Sequence, residues 1–282
     1  MSLRFTAAGA VPLPDTVQLR VSPEFRSRLG AGAPVPSRAL SDDELVANVA
    51  HFARPGPRGI PADRVVVSGV AGPRVAEVVA LVPRLRQAGA AVITAHAEPA
   101  DAAAWTSVDQ VAVTVREAAP LPPGLVVTVP LEGAVLPRLG GLLASVRDTR
   151  PARVVIAWPY PDGGPPPPPV AEVVDALIDV RSVLGALPFA LKGLPVCLLA
   201  PLRRTIPDLG AHATRTRNRW YVDADHQGAD ALLFVPDVLR FAKADGCRFC
   251  ELDGRCDGVA AAWHRLGLSG PLLPIHSPSG TG

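Results

Sequence analysis

The chain has 282 residues, enough for one large domain or two small ones around a sizeable core. Hydrophobic residues make up 48%, which excludes global disorder, and a formal net charge of +2 gives no bulk attraction to nucleic acid or anionic membrane. No segment offers the roughly 18 apolar residues of a membrane span, and Met1-Ser-Leu-Arg-Phe-Thr6 is not a signal-peptide start, so a cytoplasmic protein is expected.

Short β-branched runs then alternate with helical patterns. Thr16–Val21 reads as a strand with Val17, Leu19 and Val21 on one face. Ser41-Asp-Asp-Glu44 has capping-box spacing and opens a helix through Leu45, Val46, Val49 and Phe52. Arg64–Val70 is an apolar strand suited to a sheet buried on both faces. Gly72-Pro73 opens a helix whose apolar face carries Val75, Val78, Val79, Val82 and Leu85, with Pro83 inside it and Gly89 at its C-terminal cap.

Ala91–Thr94, Gln110–Val115 and Gly124–Val129 read as the third, fourth and fifth strands. A helix around Leu136–Val146 leads to a sixth strand at Arg153–Trp158, and another helix spans about Pro169–Leu184. Pro195–Leu199 reads as one more short strand or its end, and Leu232–Pro236 as another. Such alternation gives right-handed parallel units, hence a doubly wound sheet or a full or partial barrel. Sites in such folds gather at the carboxyl ends of the strands. Ser68-Gly69, Thr94, Arg116, Pro130, Trp158 and Cys197 are expected there.

All four cysteines lie beyond residue 196. Cys247-x2-Cys250-x5-Cys256 gives three closely spaced thiols, and Cys197 is the distant fourth. In a reducing compartment such clustering favours metal over disulfides. A four-thiolate set suits an iron–sulfur cluster or zinc; His264 and His276 are alternatives to Cys197 as the fourth ligand. Gly246, Gly254 and Gly258 flank the thiols and allow backbone N–H groups to turn toward them.

Other candidates have plainer alternatives. Arg203, Arg204, Arg215, Arg217 and Arg219 are a phosphate- or carboxylate-binding stretch, or a solvated loop pairing with Asp208, Asp223 and Asp225. His226, near Trp220 and Tyr221, is a general base or a structural histidine. Gly69-Val-Ala-Gly72 lacks a full phosphate-loop pattern and reads as a tight strand-to-helix turn. His96 falls at a strand end inside the expected pocket.

The order of parts resembles the radical SAM superfamily over roughly residues 14 to 200. Val66-Val-Ser-Gly69-Val-Ala-Gly72-Pro73 stands at the place of the Gly-Gly-Glu-Pro motif, and Ile93-Thr94-Ala-His96 at the third-strand motif. Trp158-Pro-Tyr-Pro-Asp-Gly163 and the Cys247–Gly258 ending are also similar to family members. The resemblance implies a partial (β/α)6 TIM-like barrel over residues 1–200. An irregular cysteine-rich, metal-binding extension over 201–282 would pack on it. It further implies a [4Fe–4S] auxiliary cluster, with zinc as alternative, on Cys197, Cys247, Cys250 and Cys256.

The departures are as informative. The loop after the first strand, Ser22–Gly32, carries no cysteine, and Glu24, Arg26 and Arg28 stand in it. The second motif lacks its glutamate; the third lacks its asparagine and glycine. S-adenosylmethionine is therefore not expected as a cofactor. The expectation is a pseudo-enzyme, a non-catalytic partner of an active radical SAM enzyme or a binder of its peptide substrate, as in modified-peptide biosynthesis. Two enzyme alternatives stand beside it. One uses the C-terminal cluster for redox or Lewis-acid chemistry; the other is an unrelated (β/α) enzyme with structural zinc.

Overall fold

A computed structural model describes residues 3–6, 14–22, 38–55, 61–161, 165–206, 208–215, 219–224 and 241–275. The expected strand at Leu232–Pro236 lies outside them, as do Glu24, Arg26, Arg28, Arg217, Asp225, His226 and His276.

Two sheets organise these residues. The larger has nine strands, all pairs parallel: β2 (Thr16–Arg20), β3 (Arg64–Ser68), β4 (Val92–Ala97), β5 (Gln110–Thr114), β6 (Val126–Pro130), β7 (Arg153–Ala157), β8 (Phe189–Lys192), β9 (Ala213–Thr214) and β10 (Trp220–Val222). Its spatial order is β10-β2-β3-β4-β5-β6-β7-β8-β9. The smaller sheet joins β1 (Leu3–Thr6), β11 (Phe241–Ala244) and β12 (Val259–Ala260) in antiparallel pairs.

The six expected strands are all present, and in sequence order. The expected strand at Pro195–Leu199 is not: Val196–Leu199 forms a 3-10 turn, and the seventh strand is Phe189–Lys192 just before it. Gly193 (φ +74°) explains the early stop, because the chain turns there so close to β7 that a Cβ would meet the Trp158 carbonyl oxygen at 2.5 Å.

Helices cover the sheet unevenly. α1 (Asp42–Ala53) follows β2, and Ser41 and Glu44 cap it reciprocally as their spacing predicts. α2 (Arg74–Gln87) follows β3 and runs through Pro83. α3 (Leu139–Asp148) follows β6, while α4 (Val170–Asp179) and α5 (Arg181–Gly185) follow β7 as two helices where one was expected. A 3-10 segment, Pro99–Ala104, replaces the helix after β4, and β5 passes to β6 without a helix.

Alternation along the strands separates two faces. Val17, Leu19, Val65, Val67, Ile93, Ala95, Val127, Val129, Val154 and Ile156 are buried in the continuous apolar core. The other face carries small or polar residues: Gln18, Arg20, Ser68, Thr94, His96, Ala112, Thr128, Ala157 and Lys192.

The sheet is open, yet strongly curved. In a flat sheet, eight inter-strand gaps would hold β9 and β10 about 38 Å apart. Only residues 215–219 join them, and six Cα steps reach at most about 22 Å. The edges must therefore approach each other, which makes the helix-free face the inside of an incomplete barrel. Both edge strands come from beyond residue 200, so the C-terminal part of the chain contributes to the barrel wall.

Candidate functional site

The C-terminal segment crosses the carboxyl end of the barrel. Trp263 donates through Nε1 to the Pro159 carbonyl (2.7 Å), and Val170 N–H donates to the Leu268 carbonyl (2.8 Å). Tyr160 meets Phe241 edge-on at 5.8 Å. These contacts seat β11, β12 and the short helix Ala261–Arg265 beside the turn that carries Cys197.

The four cysteines line one cavity. Cys197 enters from the 3-10 turn after Pro195; Cys247 lies in the 3-10 turn Asp245–Phe249; Cys250 and Cys256 follow. Apolar Val196, Leu252, Leu272 and Ile275 complete the wall, with Lys243 as its cation. His264 is not part of it; its Nδ1 is 2.8 Å from Ser269 Oγ.

Two of the thiols accept a backbone hydrogen bond: Gly258 N–H donates to Cys256 Sγ (3.3 Å) and Ile275 N–H to Cys250 Sγ (3.4 Å). Gly258 (φ +90°) is needed for this, since a Cβ there would meet the Ala242 carbonyl oxygen at 2.3 Å. Gly246 instead lets the turn press on Pro274, and Gly254 faces open space.

Burial, then the neighbouring Cys256, pushes the Cys197 thiol up to about 12. Burial also raises Cys247 and Cys256, with Lys243 opposing the rise in both. Lys243 is itself buried and paired with Asp253 at 2.7 Å. Among the described residues, no three His, Cys, Asp or Glu side chains are gathered closely enough to hold a single metal ion as they stand. The donor chemistry nevertheless suits a soft metal centre: four thiols, apolar walls, backbone N–H groups at sulfur and a cation to offset thiolate charge.

A second group of side chains lies inside the barrel mouth. Arg20 is paired with Asp223, both buried, while Arg20 Nε has no partner. Gln18 donates to Ser68 Oγ (3.2 Å) and accepts from Arg219 (3.0 Å). His96 and Lys192 are enclosed by protein, yet each keeps part of its surface accessible, as residues lining a hollow do. Burial, followed by the charges of Arg219 and Lys192, lowers His96 to about 3. Burial and Arg219 lower Lys192 to about 8, against a raising effect from Asp257.

Several expected candidates have structural partners. Gly72 N–H donates to Asp101 (3.0 Å), so a carboxylate of the chain itself occupies that strand-to-helix turn. Arg116 is held in a two-pronged pair by Glu132 (2.8 and 3.0 Å), and Trp158 Nε1 donates to the Pro168 carbonyl. Arg203 and Arg204 are exposed, whereas Arg215 reaches Asp257 at 3.4 Å. Trp220 stacks on Phe52. Sequence reasoning missed Lys192 altogether. A signal was present: only Lys192 and Lys243 are lysines among the 28 basic residues, and both are interior.

No family model and no curated protein matches the chain. A solved structure described as "PhdJ bound to substrate intermediate" is similar at 16% sequence identity, covering 75% of this chain, with a TM-score of 0.34. The chain spans 62% of that structure's length, and so slight a likeness carries no statement about fold or function.

Proposed function

We propose that this chain is a metal-carrying binding protein whose Cys197, Cys247, Cys250 and Cys256 together hold one iron–sulfur cluster. The observation that carries the reading is that all four cysteines border one cavity, with backbone hydrogen bonds to the thiols of Cys250 and Cys256. A single tetrahedral zinc would draw the sulfurs to about 3.8 Å from one another. A cluster spans more space, which favours it for side chains not gathered around one point. Bound there through four thiolates, it would supply electrons. The chain's own residues would hold it, shield it and donate hydrogen bonds to its thiolates.

The same count bears on catalysis. With every cysteine at this cavity, the chain has none left for a second cluster after β2. A radical SAM-like barrel without its S-adenosylmethionine centre suits a partner subunit of an active radical SAM enzyme, or a holder of its peptide substrate.

Anaerobic purification followed by iron, sulfide and zinc analysis tests the cluster, with about four irons and four sulfides expected per chain. Cys197→Ala should lower the metal content as much as Cys250→Ala. A colourless protein with one zinc would sink the cluster, and full loading of Cys197→Ala would remove the fourth ligand. Calorimetry should detect no S-adenosylmethionine binding; tight binding would overturn the pseudo-enzyme reading.

A further inference from the structure

We propose that the barrel mouth around Arg20, His96 and Lys192 binds a small oxyanion ligand, a carboxylate or a phosphate. These residues come from the ends of three strands. The register aligns Arg20 with Ser68 and Val67 with Ala95, so one step on, Arg20, Ser68 and His96 share a rung at the carboxyl ends of β2, β3 and β4. Lys192 ends β8 on the same inner face, opposite to the core-facing Phe189 and Leu191.

Among the described residues, the carboxylates acting here are Asp223, paired with Arg20, and Asp257, whose charge reaches Lys192 without an ion pair. Among the described residues, Lys192 has no carboxylate at ion-pair distance; its Nζ lies 5.9 Å from the centroid of the Tyr160 ring. Arg20 Nε is buried without an acceptor, although the other end of that guanidinium is paired with Asp223. A buried guanidinium N–H with no partner is costly, and an oxyanion in the mouth would satisfy it. Arg219, just before the edge strand β10, adds a further positive charge close enough to act on both His96 and Lys192. Neutral His96 contributes one N–H donor.

The choice of lysine supports the same reading. The chain uses arginine for its other basic residues, save Lys243, which has Asp253 beside it. Lysine offers a compact, mobile ammonium where arginine presents a rigid planar fork.

This proposal does not depend on the metal. Titration calorimetry at low ionic strength with inorganic phosphate and, separately, succinate should show saturable binding of at least one; the two arms tell phosphate from carboxylate. Lys192→Met should weaken that binding at least tenfold, while the exposed Arg84→Gln should leave it unchanged. No saturable binding of either anion, or equal affinity in Lys192→Met, overturns the proposal.

A second readout needs no variant. With only two lysines, pulse acetylation and peptide mass spectrometry report each one separately. The bound anion should slow acetylation of Lys192 at least threefold and leave that of Lys243 unchanged. Equal rates at Lys192 with and without the anion would refute the site, even if Lys192→Met fails to fold.

Discussion

The barrel wall and the cysteine segment are held together by different means. Strands β2 to β8 pack a continuous apolar face under their helices, with Leu19, Val49, Ile93, Val127, Leu143 and Ile156 all at or near zero exposure. Residues 245–258 make turns and no long element, and Phe249 stands 67% exposed. The first region needs nothing but its own side chains. The second brings three thiols to a cavity whose fourth, Cys197, comes from the barrel side, and it leans on the edge of the core through Cys247, Cys250 and Leu252. A hydrophobic core and a thiolate site are alternative ways to fix a fold, and the proposed cluster would add the second to the first.

The largest expected effect separates them directly. If Cys197, Cys247, Cys250 and Cys256 hold the proposed cluster, stripping it with a strong chelator should release amide protection across residues 245–258 while leaving Val65–Val67 and Val127–Val129 protected, as read by hydrogen exchange. Uniform loss across both regions would show that the metal supports the barrel too.

Truncating the wall probes the converse. Ile156→Ala should cost about 2–5 kcal/mol in urea denaturation, with no change in metal content per folded chain. A smaller effect on stability, or a fall in metal content, would erase the distinction. The smallest change is Ser41→Ala at the start of α1, which removes one half of the capping box and should cost about 1 kcal/mol. Its effect should be confined to the barrel; altered metal content would again break the contrast.

The wall was legible in sequence because each strand is a β-branched run, and parallel strands buried on both sides keep that signature over five or six residues. Phe189–Lys192 escaped because it has four residues and begins directly after Pro188, so the apolar run read as strand fell on Pro195–Leu199. Ala213–Thr214 and Trp220–Val222 are shorter still; their pairing is dictated by the sheet edges, not by local pattern. For the thiols, spacing identified three. Cys197 could be placed only by elimination, since it lies 50 residues before Cys247 and meets the others through the crossing of the C-terminal segment. The barrel mouth had no spacing signal at all, because Arg20, His96, Lys192 and Arg219 come from four different strands or strand ends. The rarity of lysine was the available clue.

The short link from β9 to β10 has one more consequence. Because residues 215–219 tie the first edge of the barrel to the last, they act as a drawstring across its gap. The chain can admit a small guest through the mouth, but its edges cannot part beyond about 22 Å while that cord is intact. The widest body that could slip sideways into the hollow is thereby set by covalent reach, independent of how strongly the strands attract one another.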